Sequence, residues 1–132
     1  MTTVTVIGDG QLARMMQPAA IELGIHLRLL AGAPDSSAAQ AIPDVELGDY
    51  KELPDLRRAV AGADAVTFDH EHVPNEHSRA LIDDGVPVHP APEALVHAQD
   101  KLVMREKLQE LRAPVPDFAG ISSAAEAEEF WN

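Results

Sequence analysis

Five residues rich in β-branched side chains, Thr3–Ile7, run directly into Gly8-Asp9-Gly10 and then into a stretch with apolar positions at helical spacing. No other feature of the sequence constrains the fold as strongly. A strand that alternates little and is rich in β-branched residues reads as one covered on both faces. A strand passing through a glycine turn into a helix opens a β-α-β crossover, which returns to a parallel neighbour by the right-handed route. A chain that starts this way is headed for an α/β fold.

The alternation continues along the chain. Positions 11–23 place Leu12, Met15, Met16, Ala19, Ala20 and Leu23 at helical spacing, with Gly24 as the stop. Pro18 inside that run is expected to bend the helix or weaken one turn. Residues 25–30 read as a second strand, 34–40 as a loop with one helical turn, and 45–47 as a short extended piece. A helix over 52–61 turns Leu53, Leu56 and Val60 inward, and a strand at 65–68 leads into Asp69-His70-Glu71-His72-Val73-Pro74. Asn75 is expected to cap a helix ending at Asp83. Residues 86–88 read as the next strand, and 92–98 and 102–111 as helices. Residues 112–120, RAPVPDFAG, have the Pro and Gly density of a linker, and Ser122 or Ser123 opens an acidic helix to Trp131. The expected organisation is therefore a Rossmann-like domain over 1–112, with a mainly parallel sheet and helices on both faces. A linker and one helix follow over 113–132. Ligands of such sheets sit at the strand C-termini, where 8–12 and 69–74 both fall.

Charge and composition narrow the partners. Ten basic against 22 acidic side chains give a net charge of −12, which repels nucleic acid and anionic lipid, so neither is an expected partner. The absence of cysteine excludes disulfides, thiolate metal sites and cysteine nucleophiles. Residues 1–5 carry no basic leader and no apolar run is long enough to span a bilayer, so a cytoplasmic setting is expected.

The turn itself fits G-x-G-x-x-A from Gly8 to Ala13. Glycines at 8 and 10 permit the sharp turn and bring bare backbone close to a ligand, and the helix that follows offers unpaired N–H groups to an anion. A dinucleotide would also need an acid ending the second strand, but Leu30, Ala31 and Gly32 stand there and Asp35 comes late, beyond Pro34. That demotes the dinucleotide and leaves a lone phosphate, or a turn that merely packs strand on helix. Asp69, His70, Glu71, His72 and His77 invite a metal reading. Pro74 occupies the place of the second histidine of H-E-x-x-H and breaks the helix that motif needs, so no metal site is expected.

Four ordered motifs carry a resemblance: GDGQLARMM, VTFDHEHVP, VHPAPEAL and AQDKLVMREKLQELRAPVPDF. Together they resemble the N-terminal part of the N5-carboxyaminoimidazole ribonucleotide synthetases, purine-biosynthesis enzymes of the ATP-grasp superfamily. The resemblance implies a preATP-grasp domain of a commonly homodimeric enzyme. Such an enzyme uses ATP, magnesium and bicarbonate to carboxylate 5-aminoimidazole ribonucleotide. It further implies that Gly8, Gly10, Gln11 and Leu12 hold the substrate phosphate, Glu71 the ribose hydroxyls, and Lys101 the ATP. Asp9 and Ala13 depart from the family's G-G-G-Q-L-G-R-M. Asp69 and His72 depart from its E-x-E-N-V, which leaves their roles open. Nothing after residue 118 supplies the family's second glycine loop or magnesium ligands. The sequence thus reads as an opening domain without catalytic residues of its own, inactive toward ATP alone. The rivals are a formate-dependent glycinamide ribonucleotide transformylase and a non-catalytic Rossmann-like nucleotide-binding module.

Overall fold

The computed structural model describes residues 1–131. Strands β1 (Thr3–Ile7), β2 (His26–Ala31), β3 (Asp44–Leu47) and β4 (Ala65–Phe68) form one parallel sheet in the order β3-β2-β1-β4. Val6 pairs with Leu29 and Thr67, and the side chains of β1 alternate between two separate cores. On one face Val6, Leu27 and Leu29 pack with Ala13 and Ala20 of α1 (Gln11–Leu23). On the other, Ile7, Leu30, Val66 and Phe68 pack with Leu56 of α2 (Leu53–Ala59) and Leu81 of α3 (Asn75–Asp83). The expected two-sided cover is therefore present, and it accounts for a β1 that is β-branched throughout, with Thr5 as buried as Val6 and Ile7.

Helix α1 runs unbroken through Pro18 and closes on Gly24, which takes the left-handed conformation at φ 66°. Its inner face is only partly the one that the apolar spacing suggests, since Ala20 and Met16 of that set do pack into the core. Small Ala13 and Ala20 meet the sheet, whereas Leu12, Met15 and Leu23 are exposed. Close approach of the helix to the strands selects alanine at the contact.

Two local expectations need correction. Residues 86–88 do not form a strand and make only a single bridge, Val66 to Val88. Pro87 has no N–H to donate, and the Val86 N–H is used on Leu81 O at the end of α3, so pairing shrinks to Val66 N on Pro87 O and His89 N on Val66 O. Nor does Asn75 cap α3. The Pro74 carbonyl accepts the first bonds, from His77 N (3.0 Å) and Ser78 N (3.2 Å), which makes Asn75 the first helical residue.

The chain divides into two compact units, Met1–Leu95 and the remainder from Val96, earlier than the 112/113 boundary read from composition. Helix α4 (Pro92–Gln99) spans that division. The second unit carries α5 (Lys101–Glu110) and α6 (Ala124–Trp131). Asp100 caps α5 by accepting from Leu102 N and Val103 N. At the start of α6, Ser123 Oγ accepts from Glu126 N while the Glu126 carboxylate accepts from Ser122 N. That backbone bond is the main reason the Glu126 carboxyl is held below its usual range.

Candidate functional site at the strand C-termini

The pairing register decides what meets at the rim of the sheet. Ile7 lies beside Phe68, so the next residues, Gly8 and Asp69, are neighbours, and Asp69 N still donates to Ile7 O (3.1 Å). The Asp69 side chain is only 5% exposed. Its Oδ2 accepts from Gly10 N at 2.8 Å, and its Oδ1 occupies the space that a Cβ on Gly8 would need. Gly8 sits at φ +118°, where only glycine is at ease. Gly8 and Gly10 thus shape the turn around an internal carboxylate, and the Gly10 N–H is already committed to it. Asp69 Oδ1 is buried without a hydrogen-bond partner among the described residues, with His70 Nε2 at 3.9 Å.

Asp9 directs its carboxylate to Gly32, whose N–H donates to Oδ2 at 2.9 Å. Its carbonyl accepts from Ala38 N (2.9 Å), which ties the turn to the loop after β2. The α1 terminus itself stays open. Gly10 supplies no capping side chain, and the first turn holds no acid. The N–H groups of Gln11 and Leu12 have no intrahelical acceptor. The Gln11 Oε1 accepts from Ser37 Oγ (3.0 Å), and Arg14 donates to Ser37 O and Gln40 Oε1, both at 3.0 Å. Arg14 is therefore anchored to that loop by neutral acceptors and forms no salt bridge among the described residues. Glu71, half-buried, follows Asp69 by two residues in the same rim loop. Lys101 is the exposed first residue of α5 in the second unit.

Among the described residues, no group of three or more His, Cys, Asp or Glu side chains is placed to hold a metal ion. His70 and His72 stack on each other, ring centres 5.4 Å apart, and His70 Nδ1 accepts from His72 N.

On the β2–β3 side of the turn lies a cleft of about 470 Å³. Gly8, Gly32 and Gly48 floor it, and Asp9, Asp49, Tyr50 and His70 wall it. Sequence reasoning missed Asp49 and Tyr50. The available signal was a glycine closing the short extended piece at 45–47, in the same strand-end position as Gly8 and Gly32. Behind the wall, the Asp55 carboxylate accepts from Asp49 N (2.8 Å) and from Arg58 (2.8 Å). Those two donors, the backbone one first, hold the Asp55 carboxyl below its usual range.

A parallel sheet in this order, with a glycine turn leading into an open helix terminus and polar groups gathered at the strand ends, defines a Rossmann-like ligand-binding domain. The sequence model of the ribonucleotide synthetase preATP-grasp domain matches residues 1–99, and the chain belongs to that family. The N5-carboxyaminoimidazole ribonucleotide synthase of Corynebacterium ammoniagenes is 68% identical over 131 residues, covering 99% of this chain and 32% of that protein. The N5-carboxyaminoimidazole ribonucleotide synthetase from Thermus thermophilus superposes with a TM-score of 0.84 at 32% identity, covering 96% of this chain and 34% of that one. An N5-carboxyaminoimidazole synthase from Aspergillus clavatus, solved with ADP and 5-aminoimidazole ribonucleotide, superposes with a TM-score of 0.77 at 30% identity. That match covers 88% of this chain and 31% of that one. The chain spans about a third of the length of these relatives. The family resemblance and the fold class read from the four motifs are borne out.

Proposed function

We propose that this chain is the substrate-recognition part of an ATP-dependent carbon–nitrogen ligase. The reaction converts 5-aminoimidazole ribonucleotide, bicarbonate and ATP to N5-carboxyaminoimidazole ribonucleotide, ADP and phosphate. The observation that carries the reading is the uncapped, acid-free start of α1 at the same rim as the loop bearing Glu71. Backbone N–H groups of Gln11 and Leu12 take the ribonucleotide phosphate, helped by the helix dipole. The free amide nitrogen of Gln11 adds a donor. Glu71 accepts the ribose hydroxyls. Gly8 and Gly10 act indirectly, by letting Asp69 lock the turn that aims those N–H groups.

Lys101 reaches ATP from the first turn of α5, where a bound polyphosphate offsets the unfavourable dipole. ATP supplies the activation of bicarbonate when bound. It and magnesium are held mainly by parts of the polypeptide outside this chain, in keeping with the third of the relatives' length that the chain spans. The catalytic residues belong to that remainder, the full protein is a cytoplasmic homodimer, and the 132-residue chain by itself does not turn over ATP.

The direct test is an amide-resolved NMR titration of the chain with 5-aminoimidazole ribonucleotide, with NAD as control. Saturable shifts at Gln11, Leu12 and Glu71 are expected with the ribonucleotide alone. Equal response to NAD would restore the dinucleotide reading. In the full-length enzyme, equal ATP use with glycinamide ribonucleotide and formate would transfer the assignment to a transformylase.

A further inference from the structure

The cleft on the β2–β3 side of the glycine turn shares Gly8 and Asp9 with that turn but includes neither Gln11, Leu12 nor Glu71, so its chemistry needs its own account. Its place is the rim where ligands of open parallel sheets bind, and its volume of about 470 Å³ is that of a small-molecule site. The floor is Leu30 and bare backbone, because Gly32 and Gly48 lie side by side at the ends of β2 and β3 and Gly8 at the end of β1.

The walls are built rather than incidental. Asp9 is fixed through Oδ2 by the Gly32 N–H at 2.9 Å, and Asp49 through Oδ1 by the Lys51 N–H at 2.9 Å. Each carboxylate therefore keeps one oxygen without a partner among the described residues while its orientation is already set. Asp49 is held a second time, because Asp55 accepts its backbone N–H and packs where a Cβ on Gly48 would come to 2.7 Å. Tyr50 meets His70 with ring centres 4.6 Å apart and planes tilted by 60°, while Lys51 Nζ lies 5.7 Å from the Tyr50 ring centre. No lysine or arginine lines the cleft.

Two fixed acceptor oxygens call for a ligand with two donors, and a pair of rings calls for a flat, weakly polar body. The lack of a lining lysine or arginine beside two carboxylates disfavours phosphate. We propose that this cleft seats an uncharged nucleoside, with its sugar hydroxyls on Asp9 and Asp49 and its base against Tyr50 and His70. The site adjoins the phosphate-binding N–H groups of Gln11 and Leu12 without including them, and does not depend on the ligase reading.

The test uses the whole 132-residue chain and adenosine as probe. Tyr50 is the only tyrosine, so its ring protons report the cleft without assignment ambiguity. Adenosine is expected to shift them saturably, and AMP to bind more weakly than adenosine. Asp9→Asn and Asp49→Asn keep an acceptor oxygen for the Gly32 and Lys51 N–H groups but replace the other oxygen, the proposed sugar acceptor, by an NH2 donor. Each should weaken adenosine about tenfold or more at an unchanged melting midpoint. Two variants guard against a folding defect in either one. Absence of a saturable Tyr50 shift, tighter binding of AMP, or indifference to both substitutions would overturn the proposal. So would displacement of adenosine by 5-aminoimidazole ribonucleotide, which would make the cleft part of the substrate site. Failure of the ligase reading would show instead at Gln11 and Leu12.

Discussion

Replacing Gly8 by alanine tests the contact on which the rim is built. Two costs are expected. The backbone at φ +118° would strain any residue with a Cβ, about 1–3 kcal/mol. The new methyl would also land on the Asp69 carboxylate and drive it off the Gly10 N–H, a charge-assisted bond of 2.8 Å contributing about 1.5–3 kcal/mol. Together these reach about 2.5–6 kcal/mol, a large part of the stability of a domain this size. The two contributions separate in a double-mutant cycle with Asp69→Ala. Once the carboxylate is gone, Gly8→Ala retains only the backbone strain, so the coupling energy should be about 1.5–3 kcal/mol. Urea denaturation followed by far-UV circular dichroism on the four proteins gives that number directly. Gly24→Ala is the control, since Gly24 is also left-handed but nothing lies within 4 Å of its would-be Cβ. Additivity of the Gly8 and Asp69 substitutions would refute the account of the turn as a lock around an internal acid.

Three further outcomes follow from other parts of the structure. Burial acts to raise the Asp44 carboxyl, but bonds from His26 (2.8 Å) and Arg28 (3.1 Å) outweigh it and hold it below its usual value of 3.8. Its stabilising contribution is therefore complete above about pH 3.8 and lost as pH falls through the lower folded value. Asp44→Asn should lower stability at neutral pH and flatten that acid limb in urea melts between about pH 2 and 6. In the full-length enzyme, Glu71→Ala should weaken the ribonucleotide by about 1.5–3 kcal/mol with little change for ATP, as isothermal titration would show; unchanged ribonucleotide affinity would remove Glu71 from the site. Arg112 holds φ 55° just past α5, a position suited to glycine. Arg112→Gly should stabilise the second unit by about 0.5–1 kcal/mol in hydrogen exchange of α5, and a loss there would contradict it.

Local chemistry made much of this protein legible from its sequence. The strand–glycine–helix opening, Gly24 as the stop of α1 and the alternation of strands with helices all depend on residues within a few positions of one another, and they appear where expected. Dihedral preference and side-chain period act at that range. What lay out of reach depends on partners far apart in the chain. Ala20 and Met16 were legible on the inner face of α1, but the choice of Ala13 over Leu12 and Met15 was set by how closely the helix approaches the strands. Residues 86–88 lost their strand because Val86 had already been claimed by α3. The acceptor for Gly10 N–H is Asp69, 59 residues away, and only the pairing of β1 with β4 brings the two together. The cleft likewise exists because parallel register aligns the ends of β1, β2 and β3. Sequence thus determined the elements and the chemistry available at the rim. Tertiary register determined which of those groups face a ligand and which are spent on each other.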